Sequence, residues 1–153
     1  MPTPAALAEF ERALLADIPL ARAMQLQVRE FDGECLAIDA PLAPNRNDKG
    51  CAFGGSLVSL LMLAGWGLIV LKLHALDRTC EVYVQDSQVR YLAPVWADFT
   101  AQARLAAGES WDDFVATLGT RGRARTQVDC RVATASGEDA CTLTARFVAI
   151  TKR

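Results

Sequence analysis

The sequence predicts an α+β domain in which a curved antiparallel sheet of about six strands wraps around one long apolar helix. Three observations predict it. The run Ala52–Leu71 carries no charge over twenty residues, and a helix that is apolar all round needs partners all round. Segments on either side of the run alternate apolar and polar residues, so each offers a sheet one face to bury. A sheet curved around the helix satisfies both demands at once. The element order reads α-β-β-α-β-β-α-β-β, and 153 residues without a repeat or linker form a single domain over 1–153.

Each element follows from local signals. Thr3-Pro4 is an N-cap and first-turn pair, and Leu7, Phe10 and Leu14 recur at helical spacing. They give a first helix over about 4–16, ending near Pro19. Met24, Leu26 and Val28 alternate with Gln25, Gln27 and Arg29 as a half-buried strand. Asp32-Gly33 signals a hairpin turn, after which Leu36, Ile38 and Ala40 alternate up to Pro41 and Pro44. A polar loop over 43–53 then leads into the apolar helix, about 54–74.

The strand over 81–92 changes phase. Val82 and Val84 are apolar at even positions, Val89 and Tyr91 at odd ones. A bulge around Gln85 to Ser87 repairs the register and marks Asp86 as a side chain that could be re-aimed. Beyond Pro94, Phe99, Ala101, Ala103 and Leu105 alternate with polar residues. Ser110-x-x-Asp113 resembles a capping box, Trp111, Phe114, Val115 and Leu118 share a helical face, and Gly119 is the stop signal. In the fifth strand Ala124, Thr126, Val128, Cys130 and Val132 oppose Arg123, Arg125, Gln127, Asp129 and Arg131. After the Ser136-Gly137 turn, Cys141, Leu143, Ala145, Phe147 and Ala149 share one face of the last strand.

Composition narrows the function. Sixteen basic residues stand against eighteen acidic ones, so no bulk field draws nucleic acid or an anionic membrane. An apolar content of 52% excludes disorder. His74 is the one histidine, so no metal site or metal cofactor is expected. Cys35, Cys51, Cys80, Cys130 and Cys141 are odd in number and scattered, with no C-x-x-C pair. They suit reduced thiols in the cytoplasm rather than a disulfide framework. The run at 52–71 is long enough to be weighed as a membrane span. Gly54, Gly55, Gly65, Gly67, Ser56 and Ser59 within it favour a buried core helix instead. Glu9, Glu11 and Asp17 interrupt the N-terminal segment, unlike a signal peptide.

The stretch Asn45-Arg-Asn-Asp-Lys-Gly-Cys-Ala-Phe-Gly-Gly-Ser56, running into the apolar helix, resembles the YiiD C-terminal thioesterase branch of the hotdog fold. The resemblance covers about residues 17–150 and includes Tyr91-Leu-Ala-Pro94. It implies the hotdog fold, a homodimer with a tetramer as a further assembly, and sites at the subunit interface. It also implies acyl thioesters of coenzyme A or acyl carrier protein as substrates. Many hotdog thioesterases open the central helix with Asn-x5-His-Gly-Gly. Here Asn47 and Gly54-Gly55 match by spacing and Phe53 stands in the histidine's place. Where those enzymes often carry a helix carboxylate, this chain reads Leu60-Leu61-Met62.

Thioester hydrolysis needs a polarised carbonyl and an activated water or a carboxylate nucleophile. Backbone N–H groups at a helix start are unpaired donors reinforced by the helix dipole. Gly54 and Gly55 would let a thioester oxygen approach them, with Phe53 and Ser56 beside it; equally, the glycines would let the helix pack closely against a strand. Asp48 is the first candidate carboxylate and Asp86 the second, each with a plain alternative as a turn or solvent-facing charge. Asn47 would orient the water or carbonyl, or cap the helix. Arg123 and Arg125, with Arg121, would hold coenzyme A phosphates or form a solvated face. Cys51 reads as a small buried residue, and nothing supports a serine-histidine triad. The competing function is a non-catalytic acyl-binding or interaction module.

Overall fold

In the computed structural model, which describes residues 2–153, the expected element order holds with one short α-helix added and a 3₁₀ turn (Ala43–Asn45) in the loop before the apolar helix. The elements are α1 (Pro4–Asp17), α2 (Pro19–Ala23), β1 (Gln27–Phe31), β2 (Leu36–Ala40), α3 (Gly54–Ala75), β3 (Cys80–Tyr91), β4 (Phe99–Leu105), α4 (Trp111–Arg121), β5 (Arg123–Ala133) and β6 (Asp139–Thr151). The six strands form one antiparallel sheet in the order β1-β2-β4-β5-β6-β3. It wraps α3, which packs against β2, β3, β4, β5 and β6. This is the hotdog architecture.

The apolar run is long and apolar enough to cross a membrane, yet its middle is core. Leu60, Leu61, Ala64, Leu68 and Ile69 are fully buried. Each large side chain so buried contributes about 1.5–3 kcal/mol of transfer free energy. The sheet supplies the other half of this core: Ile38, Ala101, Val128, Val132, Leu143, Phe147 and Ala149 face the helix with almost no exposure.

Two local expectations are corrected, while the first helix ends within a residue of its expected place. Met24 and Leu26 are buried but precede the first strand, because Pro19 starts α2 and Gln25 takes a left-handed turn (φ 57°) before β1. Gly119 does not stop α4. The helix runs on to Arg121 and is closed by Gly122 in the left-handed conformation (φ 72°), whose N–H donates to the Leu118 carbonyl. The first helix ends at Asp17.

β3 is an edge strand, and its expected bulge lies between Val84 and Asp86. Before it, Val82 and Val84 pair with Ala149 and Phe147; after it, Val89 and Tyr91 pair with Leu143 and Cys141. All four partners are buried, so one extra residue keeps both halves of the apolar pattern on the helix side of the sheet. β3 nonetheless stays open along most of its length, with Tyr83, Val84 and Tyr91 about half exposed.

Candidate functional site

The start of α3 is set by the loop before it. Arg46 bridges Ala52, the Asn47 N–H donates to the Cys51 carbonyl (2.7 Å), and the Ala52 N–H donates to the Val95 carbonyl (2.8 Å). Asn45 anchors this loop. Its side chain is buried, its Nδ2 donates to the Met24 and Pro41 carbonyls, and its own carbonyl accepts the Phe53 N–H at 2.7 Å. The Asn45 Oδ1 is buried without a partner among the described residues, an unmet acceptor in the wall of the loop.

Phe53 caps α3 with extended backbone and no side-chain hydrogen bond. Its carbonyl accepts the Leu57 N–H. The N–H groups of Gly54, Gly55 and Ser56 have no partner among the described residues. These are the orphan donors of a helix start, and the dipole of a 22-residue helix stands behind them.

Two aromatic rings flank the helix start. A Cβ on Gly55 would lie 2.4 Å from the Phe53 ring, and one on Gly54 would lie 3.3 Å from the Tyr91 ring. The Tyr91 hydroxyl donates to the Gly54 carbonyl at 3.2 Å. Both rings are more than half exposed, at 55% and 58%, so the helix start opens outward between them. From there a half-open seam runs between α3 and β3, with Val58, Ser59 and Met62 partly buried on the helix and Val89 on the strand. The Ser59 hydroxyl is taken up by the Gly55 carbonyl (2.7 Å). Further along, the Trp66 Nε1 donates to the Val82 carbonyl (3.0 Å) and fastens helix to strand.

The expected site residues divide. Phe53, Gly54, Gly55 and Ser56 come together at the opening. Asn47 does not reach it: its Oδ1 accepts the Lys49 N–H (2.8 Å) and its Nδ2 meets the Cys51 Sγ (3.3 Å), so both ends of the amide serve the turn. Asp48 sits at the tip of that turn, with its side chain 80% exposed and paired with Lys49 Nζ at 3.2 Å. Asp86 pairs in register with exposed Arg146 and is directed to the sheet face opposite α3, a consequence of the bulge. Arg123 and Arg125 are exposed on that same outer face. They lie at the other end of β5 from Val132, whose rung leads through Cys141 to Tyr91. At roughly 3.3 Å per residue the separation along β5 is about 30 Å for Arg123 and about 23 Å for Arg125. One chain therefore does not bring the arginines to its own opening.

Tyr91 and Asn45 are the residues that sequence reasoning underrated. The signal for Asn45 was its place at the head of the Asn45-Arg-Asn47 motif; for Tyr91 it was its strand phase and its place at the head of Tyr91-Leu-Ala-Pro94. Other chemistry is remote. His74 is exposed in the last turn of α3. Burial pushes the Cys141 thiol up to about 11 and the Cys130 thiol further still, so neither supplies a thiolate at neutral pH. The described residues contain no cluster of histidine, cysteine and carboxylate side chains able to hold a metal.

Comparison with known proteins agrees with this fold. A solved structure of a protein of unknown function from Chlorobaculum tepidum superposes with a TM-score of 0.88 at 24% identity, over 95% of this chain and 94% of that one. A putative thioesterase from Shewanella oneidensis gives 0.81 at 25% identity, over 94% and 96% of the two chains. A probable thioesterase from Pseudomonas aeruginosa gives 0.80 at 24%, over 99% of each. The family model described as "Putative thioesterase (yiiD_Cterm)" matches residues 7–151, and with the hotdog fold already in place the chain belongs to that thioesterase family.

Proposed function

We infer that this protein hydrolyses an acyl thioester whose carbonyl is held at the opening of α3, the acyl group being carried by coenzyme A or acyl carrier protein. One observation carries the reading: the N–H groups of Gly54, Gly55 and Ser56 are unpartnered at a helix start flanked by the Phe53 and Tyr91 rings. A thioester oxygen there gains negative charge as water adds, and a donor aimed at that charge is worth about 3 kcal/mol in barrier. Asp48 is the carboxylate proposed to take a proton from the attacking water, for which it would have to leave its pair with Lys49 at the exposed tip of the turn. Water adds to the carbonyl carbon, the C–S bond breaks, and the thiolate leaves and is protonated. The products are a carboxylic acid and a free thiol.

The working unit in this reading is a homodimer paired edge to edge through β3. Support comes from the strand itself, twelve residues long at a sheet edge with Tyr83, Val84 and Tyr91 exposed. An open edge with apolar side chains is a template for another strand. Five free thiols fit the cytoplasm as its compartment.

A second reading, a non-catalytic acyl-binding module, has its own support. Leu60 and Leu61 are fully buried where relatives often place a helix carboxylate, and Asp48 is drawn to Lys49. Thiol release from a panel of acyl-CoA esters separates the two. Turnover by the wild type that Asp48→Ala abolishes supports hydrolysis with that carboxylate. A wild type no faster than Asp48→Ala and Asp86→Ala on every ester, with acyl-CoA still bound, favours the module.

A further inference from the structure

The apolar run holds a motif that the opening does not use, Gly65-Trp66-Gly67 in the middle of α3. The two glycines let neighbours approach the helix on two sides. A Cβ on Gly65 would lie 3.1 Å from the Phe147 ring and 3.2 Å from the Cys130 Sγ; one on Gly67 would lie 2.8 Å from the Phe10 ring and 2.9 Å from Leu36. Side chains of β5 and β6 thus press on one neighbour of Trp66, and side chains of α1 and β2 on the other. This turn of the helix has little room to shift, and the indole is set in place with it. The ring is stacked on Phe10, with centroids 6.2 Å apart and planes 29° apart. Its Nε1 donates to the Val82 carbonyl at 3.0 Å, which carries the indole across from α3 to β3.

A second tie joins the same two elements at the other end of the seam, where the Tyr91 hydroxyl donates to the Gly54 carbonyl at 3.2 Å. Between the ties, Val58, Ser59 and Met62 on the helix and Val89 on the strand are half-buried. None of the four is charged, and the one hydroxyl among them is engaged by the Gly55 carbonyl at 2.7 Å. Their exposed surface is therefore apolar, and covering it with hydrocarbon is favourable. At one end this strip begins beside the unpartnered N–H groups of the helix start; at the other an indole crosses it. The occupant that matches both features is a hydrocarbon chain continuing from a carbonyl, which is an acyl group.

We propose that Trp66 is the floor of the acyl site and limits this protein to medium-chain acyl groups of about eight carbons. The proposal rests on the thioesterase reading for where the carbonyl sits. Trp66 follows Gly55 by eleven residues of α3, about 16 Å along the helix axis. Helical side chains lean toward the helix start, so the indole covers the turn before it, roughly 5 Å. About 11 Å of seam remain between the donors and the ring. A carbon chain with bonds of about 1.5 Å and near-tetrahedral angles advances about 1.25 Å per carbon, so about eight or nine carbons fill that length. A longer chain reaches the indole and must displace it from the Val82 carbonyl and from Phe10.

The test is the profile of kcat/KM over straight-chain acyl-CoA esters from butanoyl to hexadecanoyl, each kept below its micelle concentration. Each methylene up to octanoyl should add about three- to fourfold. Hexadecanoyl-CoA should fall about tenfold or more below the best ester, because it costs the indole its hydrogen bond and its packing. Trp66→Ala should move the optimum to dodecanoyl or longer. Trp66→Phe, which keeps a ring and loses the hydrogen bond, should move it by about two carbons at most. Met62→Phe sets a ring one turn nearer the opening and should shorten the optimum by about four carbons; it carries the test if Trp66→Ala does not fold. A wild type best on butanoyl-CoA or hexadecanoyl-CoA, or equal on all lengths, overturns the floor and leaves the thioesterase reading standing. So does an optimum unmoved in folded Trp66→Ala or in Met62→Phe. If no ester is turned over, the same series is read as affinity by calorimetry. A peak near octanoyl-CoA that moves with both substitutions then upholds the floor while hydrolysis fails, and an affinity indifferent to both overturns it.

Discussion

Gly55→Ala isolates the opening from the fold. The added methyl would lie 2.4 Å from Phe53 Cε2, 2.8 Å from Cζ and 3.1 Å from Cδ2. Non-bonded carbons rest about 3.5–4.0 Å apart, so the ring must retreat by at least about 1 Å. It is free to do so, being 55% exposed at the end of its own side chain. Stability should therefore change little. Alanine gains up to about 1 kcal/mol over glycine inside a helix, which offsets the displaced contact. The chemistry should suffer, because methyl and displaced ring crowd the Gly55 and Ser56 N–H groups. Losing one such donor outright costs about 10²–10³ in kcat, so partial crowding should cost about tenfold. The assay pairs thermal unfolding with steady-state thiol release. In a Phe53→Ala background the same substitution should cost less, since the ring it displaces is gone; this coupling is the signature of crowding. A Gly55→Ala enzyme with kcat/KM unchanged and its melt intact would refute the assignment of the opening.

The other expectations concern stability, assembly and pH. Leu61→Ala should destabilise the fold by about 2–5 kcal/mol, since the side chain is fully buried at the centre of α3; urea unfolding measures it. Gly122→Ala should cost about 1 kcal/mol by the same measurement, because its φ of 72° is left-handed. Val84→Lys, on the exposed edge strand, should shift sedimentation from dimer toward monomer, and an unmoved dimer would count against pairing through β3. The N–H groups of Cys35 and Glu34 hold the Asp32 carboxyl below its usual 3.8. A depressed native value means that its stabilisation is present above the unfolded pKa and lost as pH falls through the lower, native one. Asp32→Asn should therefore flatten the acid side of the stability profile below about pH 4.

Much of the fold was legible because the sequence states it twice, once in period and once in burial. The period-2 pattern of β5 reappears as alternation of buried residues with exposed or half-buried ones, and the chargeless run became a helix buried through its middle except along the seam at Val58, Ser59 and Met62. The local errors have tertiary causes. The left-handed Gln25 turn gives no sequence signal, and packing carried α4 past Gly119 to a glycine that fits the cap. The site was legible only where backbone makes it. Gly54, Gly55 and Ser56 act through N–H groups whose position follows from where a helix begins. Asn47, Asp48 and the arginines act through side chains, whose direction depends on loop closure and on the sheet's ends. Spacing along the chain does not encode either.

The extra residue in β3 has a reach beyond its own rung. Removing Gln85 would leave Val84 and Val89 four residues apart, the spacing of a regular strand, so each later residue of β3 would keep its partner on β6 and its face of the sheet. What would go is the local bend and added twist of the bulge, and with them the angle at which the Tyr91 end of the strand meets the Gly54 carbonyl. Chain length between two valines thus tunes the aim of a ring at a helix tip while leaving its pairing intact.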